Sequence, residues 1–142
     1  MTREKICEAA HKWLGTPYAH HASLIGVGVD CARFPIAVYS EAGLIDAVDP
    51  AYTRDWHLHR DAELYLDWVL KLGAVEIDQK QARDGDLGLW RWGRTYSHGG
   101  ILLAPDLLIH AVQDVGVTLD NPHEEEELRR RSSRWFTFWS AP

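Results

Sequence analysis

Cys31, His98 and His110 are the residues of this sequence whose types and spacing suit a reaction. A cysteine hydrolase needs a thiolate, an imidazole within hydrogen-bond reach to form it, and a third polar group that fixes the imidazole tautomer. Cys31 opens a predicted helix, where the helix dipole and the free N–H groups favour a thiolate and where its own N–H can face a developing oxyanion. His98 and His110 fall on two apolar runs that read as neighbouring strands. Pairing them directly opposite each other puts the midpoint at Ala104, beside the turn-forming Pro105-Asp106, and opposed residues point to the same face of a sheet. On that register the two imidazoles touch. Taken singly, each residue has a plainer reading. A Cys before an apolar helix is most often a small buried hydrophobe, and a strand His is most often a satisfied polar group. The three together carry the chemical reading, which calls for no cofactor and no metal.

The elements that must position them follow from periodicity. Ile6, Ala9, Ala10, Trp13 and Leu14 recur at helical spacing, with Thr2 placed to cap the start and Gly15 and Pro17 to end it. Residues 15–29 read as a glycine-containing loop that delivers the chain to Asp30-Cys31, and 31–42 read as a helix stopped by Gly43. Residues 46–60 are irregular and polar, and a third helix carries Tyr65, Trp68, Val69 and Leu72 up to Gly73. The period then changes to two, with strand candidates at 74–77, 86–92, 99–103, 108–113, 115–119 and 134–139. Helices first and strands after predict an α+β fold, with the Cys31 helix packed on an antiparallel sheet. Glu125, Glu126 and Glu127 each precede an Arg by four residues, which reads as a short solvated helix in a salt-laced surface turn.

Composition narrows the classes. At 142 residues and 46% apolar content the chain is expected to form one domain over 1–142. A net charge of −6 without a basic stripe excludes a nucleic-acid backbone as the expected partner. No apolar run reaches membrane-span length, and Met1-Thr2-Arg3-Glu4-Lys5 opens into an amphipathic helix instead of a secretion signal, so synthesis and folding in a cytoplasm are expected. Two cysteines make no disulfide framework, and Cys7 reads as a small buried hydrophobe. Of the seven Trp, most are expected in the core, with Trp56, Trp90 and Trp92 as candidates for lining a groove.

Five segments in order carry a resemblance: Trp13-Leu14-Gly15-Thr16-Pro17-Tyr18, Gly28-Val29-Asp30-Cys31, Gly85-Asp86-Leu87, Ser97-His98-Gly99-Gly100-Ile101 and Ile109-His110-Ala111. They resemble the successive motifs of the NlpC family of papain-like cell-wall cysteine peptidases, from the first helix to about residue 119. Within that family, Tyr18-Ala19-His20-His21-Ala22-Ser23-Leu24 with Gly26-Val27-Gly28 is most similar to the branch encoded by tailed phages and gene-transfer agents. The resemblance implies a papain-like fold and cleavage of amide bonds in peptidoglycan stem peptides, commonly between D-glutamate and a diamino acid. It places Cys31 as nucleophile, His98 as base, His110 as third polar residue and Tyr18 beside the oxyanion site. It makes Asp30 the acidic residue before the nucleophile, with a capping role, and Tyr18, Asp30 and Arg33 are the expected substrate-binding residues. Its expected partners are a stem peptide and phage tail-tip proteins, and its expected location is the host cytoplasm and then a tail.

Ala32-Arg33-Phe34-Pro35 departs from the family's small residue, glycine and aliphatic residue after the nucleophile. Pro35 lacks the N–H that would bond the Cys31 carbonyl, so a distorted first turn is expected. Arg33 reads either as a group that lowers the thiol pKa or binds a substrate carboxylate, or as a solvated side chain. The rival readings are metal hydrolysis through His57, His59, Asp55 and Asp61, a related amidase or acyl transfer, and a tail-tip structural protein that keeps the fold without hydrolysis.

Overall fold

The computed structural model describes residues 1–46 and 64–139. Helix α1 (Arg3–His11) starts where the Thr2 hydroxyl accepts the Lys5 N–H, and it buries Ile6 and Ala10 as the periodicity predicts. The chain then makes a ribbon of β1 (Ser23–Leu24) and β2 (Gly28–Val29) within the predicted loop, and turns at Asp30 into α2 (Arg33–Glu41). A further helix, α3 (Leu64–Lys71), precedes the strands β3 (Val75–Ile77), β4 (Leu87–Trp92), β5 (Thr95–Ala104), β6 (Leu107–Val112) and β7 (Gly116–Asp120). A one-turn helix α4 (Glu126–Arg129) and strand β8 (Ser133–Thr137) follow. The main sheet runs β3-β8-β4-β5-β6-β7 with antiparallel neighbours, so the α+β expectation holds.

The strands alternate between two apolar clusters. Leu87, Leu89, Ile101, Ile109 and Ala111 join the main core with residues of α1, α2 and α3. Trp90, Leu102, Leu108 and Trp135 form a second cluster on the other face, closed by Leu128 of α4. Each fully buried side chain of this size contributes about 1.5–3 kcal/mol. The Gly85-Asp86-Leu87 segment ties the layers together: the Tyr39 hydroxyl of α2 donates to the Gly85 carbonyl, and buried Asp86 accepts from Arg3 of α1 and from the Arg83 N–H.

Two expectations change in detail. The regular helix begins at Arg33 and not at Cys31, because Pro35 has no N–H for the Cys31 carbonyl. The Phe34 N–H still reaches the Asp30 carbonyl at 3.0 Å, so Cys31 remains in the first turn and the helix runs on without a break. Strand β5 starts at Thr95, four residues before the predicted strand, and carries His98 inside the sheet.

Candidate active site

Asp30 sets the helix end that carries the thiol. Its carboxylate accepts the Arg33 N–H at 2.8 Å and the His21 N–H at 2.9 Å, and it pairs with the Arg33 guanidinium. Both residues are buried. The capping role of Asp30 is therefore observed, but neither Asp30 nor Arg33 borders the cavity beside Cys31. This corrects the expectations that they bind substrate and that Arg33 is solvated. A lone buried guanidinium carries a desolvation cost of several kcal/mol, and the Asp30 carboxylate offsets it.

Tyr18 reaches the same thiol from the loop after α1. That loop is pinned to the edge of the sheet, where the Val117 N–H donates to the Thr16 carbonyl and the Gly15 N–H to the Val117 carbonyl. Gly116 makes the approach possible: its φ is +99°, and a Cβ there would lie 2.6 Å from the Thr16 oxygen. The Val29 N–H fixes the other side by donating to the Pro17 carbonyl. The Tyr18 hydroxyl then donates to Cys31 Sγ at 3.7 Å, and the thiol faces the Ser97 carbonyl at 3.8 Å.

Burial, and next the Asp30 charge, push the Cys31 thiol up to about 11. The Tyr18 hydrogen bond and the N–H groups of Cys31 and Ala32 act the other way and are outweighed. The expectation that the helix end favours a thiolate is thus corrected: the helix contribution exists, but burial of the thiol first, and then the carboxylate that caps the same end, outweigh it.

The two histidines meet by a route the direct pairing did not anticipate. Gly100, not His98, stands opposite His110, and the register shifts between Leu102 and Ala104. Two residues of β5 there span one step of β6, which makes Leu103 the extra residue of a bulge. A plain two-residue hairpin at Pro105-Asp106 would set Ile101 against His110 and turn the imidazoles to opposite faces. The bulge restores the shared face, and His98 Nε2 lies 2.8 Å from His110 Nδ1 across a diagonal. Asp120 of β7 repeats the diagonal, with Oδ2 2.8 Å from His110 Nε2.

His98 is enclosed. The Trp92 ring lies 5.0 Å away at 35°, Trp90 stands edge-on, and the Arg131 guanidinium lies over the Trp92 ring at 3.6 Å. Burial first, then the neighbouring His110 and Arg131, pull the His98 pKa down to about 3. Both shifts favour the uncharged forms, a neutral thiol and a neutral imidazole.

Tyr18, Cys31, His98 and His110 border one cavity of about 280 Å³. Its far wall comes from Asp120, Glu125, Glu127 and Leu128, so the predicted salt-laced surface turn is also a wall of the groove. Glu125 caps α4 through the Leu128 N–H, and Glu127 pairs with Arg130 and Arg131. Of the candidate groove tryptophans, Trp92 borders the cavity and Trp90 is packed in the second cluster. Trp56, the His57 and His59 pair with Asp55 and Asp61, and most of the 46–60 stretch expected to wall the groove lie outside the described residues. Among the described residues, no group of three His, Cys, Asp or Glu side chains is arranged to hold a metal. No described helix is long and apolar enough to cross a membrane. Sequence reasoning missed Asp120, which sits one residue beyond the predicted strand 115–119. Extending the alternation through Thr118 and Asp120 is the signal that would have found it.

Residues 15–132 match the model of the NlpC/P60 family. The chain is similar to the solved NlpC/p60 domain of the peptidoglycan hydrolase SagA, with 21% identity and a TM-score of 0.67, covering 94% of this chain and 97% of that one. It is similar to an NlpC/P60 family protein from Bacillus cereus, with 17% identity and a TM-score of 0.65 over 94% of this chain. A Staphylococcus aureus protein described as similar to lipoprotein, NLP/P60 family, shares 22% identity with a TM-score of 0.63 over 93% of this chain. The chain covers only 39% and 40% of those last two proteins. No curated protein matches it by sequence.

Proposed function

The chain belongs to the NlpC/P60 family, and from that premise and the geometry of its cavity we propose a cysteine peptidase that hydrolyses amide bonds in peptidoglycan stem peptides. The observation that carries the proposal is the joint placement of Cys31, held by the Tyr18 hydroxyl, and the hydrogen-bonded His98 and His110 on one cavity.

Because both reacting groups rest neutral, proton transfer accompanies attack. Cys31 Sγ bonds to the scissile carbonyl carbon as its proton passes to His98, and the Cys31 N–H and Tyr18 hydroxyl face the developing oxyanion. Collapse breaks the C–N bond, His98 returns the proton to the leaving amine, and an acyl-enzyme remains. Water then gives a proton to His98 as its oxygen bonds to the acyl carbon; collapse breaks the C–S bond, His98 returns the proton to Cys31 Sγ, and the acid is released. The second imidazole orients the first throughout, since His98 Nε2 is committed to His110.

The finer assignment is the bond between D-glutamate and a diamino acid, in an enzyme made in a host cytoplasm and carried on the tail of a phage or gene-transfer agent beside tail-tip proteins. It is supported by the likeness of residues 18–28 to that branch of the family. Mass spectrometry of peptidoglycan fragments after incubation with wild type and with Cys31→Ala tests both levels. New stem-peptide fragments from wild type alone are expected, and their masses name the bond. No fragments from a folded wild type would replace hydrolysis with a structural role at a tail tip.

A further inference from the structure

We infer that Asp120 is a positioning residue that selects which nitrogen of His98 acts as the base, an inference that rests on the peptidase reading of the site. A carboxylate only accepts hydrogen bonds, so Asp120 Oδ2 at 2.8 Å requires the proton of His110 on Nε2. A neutral His110 then presents a lone pair at Nδ1. His98 Nε2 lies 2.8 Å from that lone pair and must supply the proton between them. With its single proton on Nε2, neutral His98 keeps its own lone pair on Nδ1. One acceptor at the end of the row thus dictates the protonation of two rings.

The sheet explains why the end of the row is fixed. His98, His110 and Asp120 come from three consecutive strands, each one diagonal step from the next. The two imidazoles are buried, while the Asp120 side chain is 34% exposed at the cavity wall. The position therefore contributes little to the core, and its replacement reports on orientation more than on folding.

An amide at this position donates as readily as it accepts. In Asp120→Asn the side-chain NH₂ can bond His110 Nε2, which moves the His110 proton to Nδ1 and the His98 proton to Nδ1 in turn. That arrangement removes the lone pair the thiol proton needs. Asp120→Ala removes the preference altogether.

The test combines two measurements on the full chain. Long-range ¹H–¹⁵N spectra, assigned with His98→Gln and His110→Gln, read which ring nitrogens carry protons. Stem-peptide turnover gives kcat and KM. In wild type, His98 is expected to be protonated at Nε2 and bare at Nδ1. In Asp120→Asn and Asp120→Ala this preference is lost and kcat falls about 10- to 100-fold, with KM changed less than about twofold. A wild-type His98 protonated at Nδ1 overturns the inference, and so do variants that keep both the wild-type tautomer and kcat. A folded wild type that cuts no stem peptide sinks the peptidase reading instead, and the nitrogen spectra then decide the role of Asp120 by themselves.

Discussion

Gly99 packs between the strand bearing the base and the helix that follows the thiol, and Gly99→Ala is expected to separate them. A Cβ at Gly99 would lie 2.8 Å from the Tyr65 hydroxyl of α3 and 3.0 Å from Pro35 Cγ of α2. Ordinary contact begins near 3.4 Å, so the neighbours must give by about 0.6 Å. Neither can yield cheaply. Pro35 is a rigid ring buried in α2, and Tyr65 is only 6% exposed. Overpacking of this kind costs about 1–3 kcal/mol, and at about 2–4 °C per kcal/mol it lowers Tm visibly. The same shift acts on chemistry, because Cys31 lies four residues before Pro35 in the turn that leads into α2, and His98 lies one residue before Gly99 in β5. Misplacement approaching 1 Å costs up to about 10²-fold in rate. Calorimetry and stem-peptide turnover on Gly99→Ala should show both losses, with kcat falling at least tenfold at a temperature where the variant is fully folded. Wild-type Tm together with wild-type kcat would refute the reasoning.

The protonation states give a second test: with the thiol near 11 and His98 near 3, both groups are neutral between those values. Only about one Cys31 in 10⁴ is then a thiolate at pH 7, so alkylation of Cys31, mapped by peptide mass, should rise about tenfold per pH unit from 7 to 10. A plateau already reached below pH 7 would mean a preformed thiolate and imidazolium. Tyr18→Phe removes the donor at 3.7 Å from the sulfur and is expected to lower kcat about 10²-fold without changing stability, and an unchanged kcat counts against its oxyanion role. Asp86→Ala leaves the Arg3 guanidinium and the Arg83 N–H without their buried acceptor, for an expected loss of about 3–5 kcal/mol in denaturant titration. A loss under about 1 kcal/mol would show that the clasp between α1 and β4 is redundant.

Much of the molecule was legible along the chain because the signals were local. The Thr2 cap, the α1 stripe through Ile6 and Ala10, and the period-two runs each depend on residues within a few positions of one another. The spacing of motifs around Cys31, His98 and His110 was equally legible, and with it the expectation of a thiol and two imidazoles at one site. Residue types alone did not say where charges would settle. Arg33 looked solvated or aimed at substrate, but it is buried and paired with Asp30, and burial of the thiol together with that carboxylate raised the Cys31 pKa.

Register is the feature that only the tertiary structure decided. Whether His98 and His110 share a face depends on parity, and one residue more or less in the hairpin reverses it. The extra residue is Leu103, whose own identity carries no bulge signal. The sequence by itself determined the elements and named Cys31, His98 and His110 as candidates, because helix caps, strand periods and residue types are written in short-range order. Their meeting, and the place of Asp120 at the end of the row, came from strand pairing across three β-strands, where the packing of two opposite apolar faces selects the single register that buries both.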